Sequence, residues 1–297
     1  MRRRNFLSLP AVALAPSKDL QDAIRRDMLG VDAEVSLYAK NLDTGQSFGL
    51  RENNRVRTAS TIKLPIMAAV FHKVARRELR WDRTLLLHES DKVSGSGVLH
   101  EFSAGLRLPL RDVVNIMIVV SDNTATNLVL DLITADAVNA FLDTLGLKQT
   151  RSMRKVRGDG NQLKAPSGWS KAGQLEENKR FGIGSSTPLE MVTLLERLEK
   201  GEVVNAASSR AMIEILKRQQ FKDGIGRRMG EMPVASKSGA LDALRSDVGI
   251  VYTPKGRVAL AITVDGLKQI DESEDNPGLL LIARAAQTLC RGLTGML

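Results

Sequence analysis

Three short clusters of polar residues carry the side chains that an acyl-transfer reaction needs. The first is Ser60-Thr61-Ile62-Lys63. A serine hydroxyl is a weak nucleophile and needs a base. Lys63, three residues on, projects from the same helical face. An amine serves as that base only if burial or nearby positive charge lowers its pKa. Moving it from ~10.4 to near 7 takes about 3 units, roughly 4–5 kcal/mol. A lysine in the first turn of a helix also opposes the dipole, a broken local rule of the kind expected at a functional site. The helix N-terminus directs free N–H groups towards Ser60. The second cluster, Ser121-Asp122-Asn123, interrupts two apolar helical runs. Taken alone it is a helix junction, since Ser, Asp and Asn favour caps and turns. The third is Lys237-Ser238-Gly239. Its cation and hydroxyl suit a carboxylate, and its glycine permits close approach to a strand edge. The S-x-x-K spacing recurs at Ser152-Met153-Arg154-Lys155, so that motif has little force without the other two.

In this order the clusters resemble the set found in class A β-lactamases and penicillin-binding proteins, and the chain resembles that serine-hydrolase family over most of its length. The resemblance implies an acyl intermediate on Ser60, with Lys63 as base and Ser121 relaying a proton towards the leaving group. It implies that Asn123 helps hold the lysine and the substrate, and that Lys237 and Ser238 bind a substrate carboxylate beside Gly239. The backbone N–H groups of Ser60 and Ala240 would form the oxyanion hole, where one donor is typically worth about 3–4 kcal/mol. Arg245 lies near the position of a carboxylate-binding arginine, and Ser94-Gly95-Ser96-Gly97-Val98-Leu99 resembles the substrate-gorge segment. The implied function is β-lactam amide hydrolysis, as in antibiotic resistance. A D-alanyl peptidase or esterase of the same fold is the alternative, as is a penicillin-binding sensor that acylates without turnover. No cofactor and no metal is implied. The expected substrate is a small molecule, a β-lactam or cell-wall peptide, and the expected state is a monomer.

One feature departs from the family. Class A enzymes activate the deacylating water with a glutamate, followed four residues later by an asparagine, soon after a step like Thr150-Arg151. The corresponding stretch, Ser152 to Asn161, has no glutamate; Asp159 is the nearest carboxylate, with Glu176 and Glu177 further along. Without a positioned base, acylation can proceed while hydrolysis of the acyl-enzyme is slow.

The elements that must position these residues follow from hydrophobic periodicity. Val35, Leu37 and Ala39 alternate with polar residues and Asp43-Thr44-Gly45 supplies a turn, so Ala33–Leu50 is a predicted hairpin. Asp247–Gly266 repeats the pattern around Thr253-Pro254-Lys255-Gly256. Predicted helices cover Leu20–Leu29, Ser60–Leu79, Leu110–Val120, Thr124–Leu132, Ala135–Leu145, Pro188–Lys200, Ala206–Gln219 and a last segment from Pro277. Arg151–Ser186 has weak periodicity and is a predicted long loop without a clear helix. Strand-forming ends around a helical middle imply an α/β (α+β) fold. Its antiparallel sheet is built from both termini with flanking helices, plus an inserted all-helical lobe. The expected division is an export signal over 1–17, a sheet lobe from 18–59 and 205–297, and a helical lobe over 60–204.

Composition narrows the alternatives. The 297 residues, 43% hydrophobic, suffice for a large core, but aromatics are only 4%, so aliphatic side chains must fill it. The net charge of +9 is spread over residues interleaved with acids, as in Arg25-Arg26-Asp27, which argues against a nucleic-acid partner. The single cysteine, Cys290, excludes an internal disulfide and is expected as a small buried hydrophobe. His72, His88 and His100 have no ligand-pair spacing. Arg3-Arg4-Asn5-Phe6-Leu7 resembles a twin-arginine signal, so the expected address is periplasmic or secreted, with no membrane span.

Overall fold

The computed structural model describes residues 18–157 and 168–296, so the expected signal and Asp159 lie outside the described residues. The chain opens with α1 (Lys18–Asp27), β1 (Glu34–Asn41), β2 (Ser47–Leu50) and β3 (Val56–Arg57). It continues through α2 (Lys63–Ala75), β4 (Thr84–Leu86), β5 (Arg107–Pro109), α3 (Leu110–Val119), α4 (Asn123–Ile133) and α5 (Ala135–Thr144). Then come β6 (Arg151–Ser152), α6 (Lys171–Gln174), α7 (Glu176–Lys179), β7 (Gly184–Ser186), α8 (Pro188–Glu199) and α9 (Ala206–Lys217). It closes with β8 (Val234–Leu241), β9 (Leu244–Thr253), β10 (Gly256–Asp265) and α10 (Pro277–Leu293).

Both predicted hairpins form, and β1 pairs antiparallel with β10, joining the two ends of the chain in one five-stranded sheet of order β2-β1-β10-β9-β8. Alternation gives the sheet two apolar faces. Leu37, Leu260 and Ile262 pack with Leu20 and Ile24 of α1 and with Leu281 and Leu289 of α10. Ala259, Ala261 and Ile250, on the other face, pack with the cluster of Ile66, Met67, Val114 and Leu195. The small alanines let helices lie close to the strands. One of those helices is α8, which falls within the expected helical lobe but packs on the sheet, with Lys40 of β1 bonded to Glu196 at 2.7 Å. Cys290 is buried in the α1–α10 layer, and burial pushes its thiol up to about 12. No single described helix is long and apolar enough to cross a membrane.

Two differences from the sequence-based expectation bear on the site. The predicted helix Ser60–Leu79 begins as a 3-10 turn, Ala59–Ile62, and becomes α-helical only at Lys63, with Pro65 accepted in the first turn. The described part of Arg151–Ser186 is not a structureless loop. It holds β6, α6, α7 and β7, and β7 ties β6 to β3 in a small sheet beneath the 3-10 turn. Its short polar strands and four-residue helices lack the periodicity that a sequence reading requires.

Candidate active site

Ser60 sits in a strained turn. Ala59, just before it, has φ of +45°, a conformation that L-residues with a Cβ adopt only where the surroundings enforce it. The enforcement is visible on both sides. Thr58 N–H donates to Gly184 O at 3.0 Å, and Thr58 O accepts from Thr61 N–H at 3.1 Å and Thr61 Oγ1 at 2.8 Å. On the open side runs β8, the sheet's edge strand. A Cβ on Gly239 would lie 2.9 Å from Ser60 N and 2.8 Å from Thr58 O, so only glycine allows the strand to pass this close. The first and third sequence clusters therefore meet backbone to backbone.

Lys63, fully buried in the first turn of α2, reaches the second cluster. Its Nζ lies 2.6 Å from Ser121 O, 3.2 Å from Ser121 Oγ and 2.9 Å from Asn123 Oδ1. Burial, then the charge of Lys237, push its pKa well below the usual lysine value, against a smaller opposing effect of Asp122. Lys237 sits two residues from Gly239, which packs against Ser60 N, on the same strand face. Among the described residues no hydrogen bond joins Ser60 Oγ to Lys63 Nζ, whose contacts are Ser121 O, Ser121 Oγ and Asn123 Oδ1. In all three contacts the amine donates; once neutral it keeps two N–H groups and one lone pair, which is what a base needs.

Ser121 also has positive φ, +54°, in the tight link between α3 and α4. Asp122 explains how that link holds. It caps α4 by accepting from Ala125 N–H at 2.7 Å, and its second oxygen accepts from Val98 N–H at 2.6 Å and Leu99 N–H at 2.8 Å. Gly97, at φ +112°, passes against Asp122 where a Cβ would lie 2.4 Å from its Cα. Asn123 donates to Ser94 O at 3.0 Å, and its backbone N–H to Ser96 O at 2.9 Å. The Ser94–Leu99 segment is thus wrapped onto the Ser121–Asn123 link rather than loose.

Lys237 is fully buried on the face of β8 that Gly239 presents to Ser60, and its Nζ donates to Ser238 O at 2.6 Å. Burial brings its pKa down to about 7, with Asp247 opposing. Asp247 escaped the sequence reading. It is paired in register with Ser238, is 1% exposed, and accepts from Ile225 N–H at 2.9 Å, while its Oδ1 has no partner among the described residues. Gly224 makes room for it, since a Cβ there would lie 2.5 Å from Asp247 Oδ2. Burial pushes its carboxyl up to about 7, against the Ile225 bond and Lys237. A carboxylate inside the apolar run of β9 was the signal that could have found it.

Ala240 is exposed at the rim and Ser238 is half-buried. Arg245 is paired in register with Ala240, hence on the face of Ser238 and opposite Lys237. Its guanidinium donates to the carbonyls of Leu241, Leu244 and Asp271, closing the β8–β9 turn onto the 266–276 loop. The second S-x-x-K is separate: Ser152 is bonded through its backbone to Asn139 in β6, and Lys155 pairs with Asp131 at 2.6 Å. Glu176 and Glu177 are exposed on α7, Glu176 with Lys179. Asn127, one turn after Asn123, clamps Val156 by two backbone bonds of 2.8 Å, which anchors the start of the segment leading to 158–167.

A serine in a strained turn, a buried uncharged-leaning lysine three residues on, a hydroxyl and amide against that lysine, and an edge strand beside the serine define a serine acyl-transfer site. The chain belongs to the β-lactamase enzyme family, whose sequence pattern it matches over residues 16–293. It is 26% identical to β-lactamase L2 of Stenotrophomonas maltophilia over 86% of this chain and 84% of that protein. A β-lactamase from Sphaerobacter thermophilus superposes with a TM-score of 0.79 and 29% identity, covering 94% of this chain and 97% of that one. PBP-A, at 24% identity and a TM-score of 0.77 over 94% and 97%, shares the fold.

Proposed function

We propose that this protein is a serine hydrolase that opens β-lactam amides through an acyl intermediate on Ser60. The observation that carries the proposal is Lys63, fully buried, depressed in pKa, and held against Ser121 and Asn123 at the turn that bears Ser60. In this reading Lys63 Nζ takes the proton from Ser60 Oγ as the Oγ–C bond forms. The N–H groups of Ser60 and Ala240 stabilise the oxyanion. As the ring C–N bond breaks, the proton returns to the leaving nitrogen through Ser121. Lys237 and Ser238 bind the substrate carboxylate beside Gly239, and Arg245 supports that end of the strand. Family membership and the β-lactamase relatives support the substrate class. The Arg3–Leu7 motif supports export to the periplasm or beyond, and a monomer is proposed.

A specific observation favours a second reading for the last step. The described carboxylates of the 151–186 segment, Glu176 and Glu177, face solvent on α7. Both face solvent, so neither supplies a base to a water at Lys63, and with Asp159 outside the described residues this favours slow release of the acyl group. A D-alanyl peptidase or esterase, or a protein that acylates without turnover, fits that behaviour. The two readings separate when labelling and turnover are recorded independently, with a fluorescent penicillin and a chromogenic cephalosporin. Both require a penicilloyl adduct in the intact mass of the wild type and none on Ser60→Ala; an adduct on that variant refutes the nucleophile. Steady turnover supports the first reading, and a stoichiometric burst supports the second.

A further inference from the structure

A second polar cavity, of about 230 Å³, lies away from the Lys63 cluster, between the start of β1, the end of β10, β3 and the turn before β7. It far exceeds the ~10–15 Å³ that one water requires. Its walls carry three arginines: Arg55, Arg57 and Arg180. Arg57 is neutralised by a two-point pairing with Asp265. Arg55 and Arg180 are not paired with a carboxylate among the described residues. Arg55 donates to neutral groups, Asn178 Oδ1 at 2.9 Å and Ser185 Oγ at 3.0 Å. Both guanidiniums stack on one ring, with their central carbons 4.4 and 4.6 Å from the Phe181 centroid. That ring holds both cations in place before any anion arrives.

Two buried polar atoms at this cavity lack partners among the described residues: Arg55 Nε and Ser36 Oγ. Ser36 is 1% exposed. A buried donor left unmade costs about 1–3 kcal/mol, and an acceptor in the cavity would offset that cost. Burial, and then the charges of Arg180 and Arg151, hold the Arg55 pKa below its ordinary value, against smaller opposing effects of Glu177 and Glu190, neither of which is bonded to it. The sole acid on the walls besides Asp265 is Glu34, which is exposed at the mouth.

We infer that this cavity is a binding site for a small oxyanion, a phosphate or a carboxylate, held by Arg55, Arg180 and the Ser36 hydroxyl. The site shares a wall with the machinery described above without belonging to it. β3 forms that wall, and Thr58, the residue after β3, is bonded to β7 two positions before Ser60. An occupant braces the strand that delivers the nucleophile.

The test is a titration of the full chain with inorganic phosphate, and separately with acetate, at low ionic strength. It is followed through arginine Nε–H resonances, with Arg55 assigned by its loss in Arg55→Lys. Saturable movement of the Arg55 signal is expected. Arg180→Ala, a change at an exposed side chain, and Ser36→Ala, which removes an unpartnered hydroxyl, should each weaken binding at least fivefold while leaving the fold intact. Tighter binding of phosphate than of acetate identifies a tetrahedral ligand, and the reverse order a carboxylate. Three results overturn the inference: no saturable shift with either anion, equal binding by both variants, or binding abolished only by Lys237→Met, which would put the anion beside Ser60 instead.

Discussion

Replacing Asp247 by asparagine should make the protein more stable near neutral pH, although it removes a buried charge that raises the pKa of Lys237. Burial has pushed the Asp247 carboxyl from 3.8 to about 7. Between its unfolded and folded values the folded state binds the extra proton, so stability falls as pH rises through that interval. About three units at ~1.4 kcal/mol each set a ceiling of about 4 kcal/mol on the loss. The attraction to Lys237 opposes the burial effect and is already netted in that shift. Lys237 is itself depressed to about 7, so at pH 7.5 the amine is mostly neutral and little of that attraction is present. Asparagine keeps an oxygen for Ile225 N–H, while its amino group takes the place of the unpartnered Oδ1. The net expectation is a gain of about 1–2 kcal/mol at pH 7.5, after the new N–H donors are discounted. Urea denaturation from pH 4.5 to 8 is the assay. The wild type should lose stability across pH 4–7 and regain it above 7. The recovery comes from Lys237 together with Lys63, because above the depressed pKa of each the unfolded chain binds the extra proton. Asp247→Asn should abolish the falling limb and keep the rising one. Lys237 also loses the carboxylate that raises its pKa, so the alkaline limb of acylation by a carboxylate-bearing penicillin should move to lower pH. A variant less stable than wild type at pH 7.5, or two parallel stability curves, refutes the reasoning.

Other substitutions test the site's supports. Asp122→Ala strands the N–H groups of Val98, Leu99 and Ala125; it should cost about 3–5 kcal/mol and lower the melting midpoint by roughly 10 °C, measured calorimetrically, and slow acylation as Ser94–Leu99 detaches. Ser152→Ala removes a buried hydroxyl that has no partner among the described residues; stability should change by less than about 1 kcal/mol and penicillin labelling should be unchanged, because that S-x-x-K is structural. Glu176→Gln combined with Glu177→Gln should leave the release rate of the acyl group within about twofold of wild type, read by recovery of free enzyme mass, since both carboxylates face solvent; a larger fall would mean that α7 swings inward.

The sequence made the fold legible wherever one face of an element repeats an apolar pattern. The β1–β2 and β9–β10 hairpins, α3 to α5, and α8 to α10 all follow from alternation or helical spacing, with ends displaced by a residue or two. Ser60, Lys63, Ser121, Asn123 and the Lys237–Ala240 stretch were legible as chemistry, because their residue types violate what a helix start or a strand would otherwise choose. What remained hidden depends on contacts between distant segments. Ser60 lies on a 3-10 turn because Thr58 is tied to Gly184, more than a hundred residues away, and no local pattern encodes that bond. Asp247 looked like part of a strand; the register pairs it with Ser238, on the sheet face away from Lys237, where tertiary packing buries it against Ile225 N–H. The same register separates two uses of arginine. Arg245 lies near the expected carboxylate position in sequence, yet three carbonyls hold its guanidinium. Arg55, which no motif singles out, keeps a buried N–H without an acceptor among the described residues. Charge in sequence therefore counts as binding capacity only after the backbone has taken its share of the donors. In this chain that accounting moves the unspent guanidinium capacity from the end of β8 to the cavity behind β3.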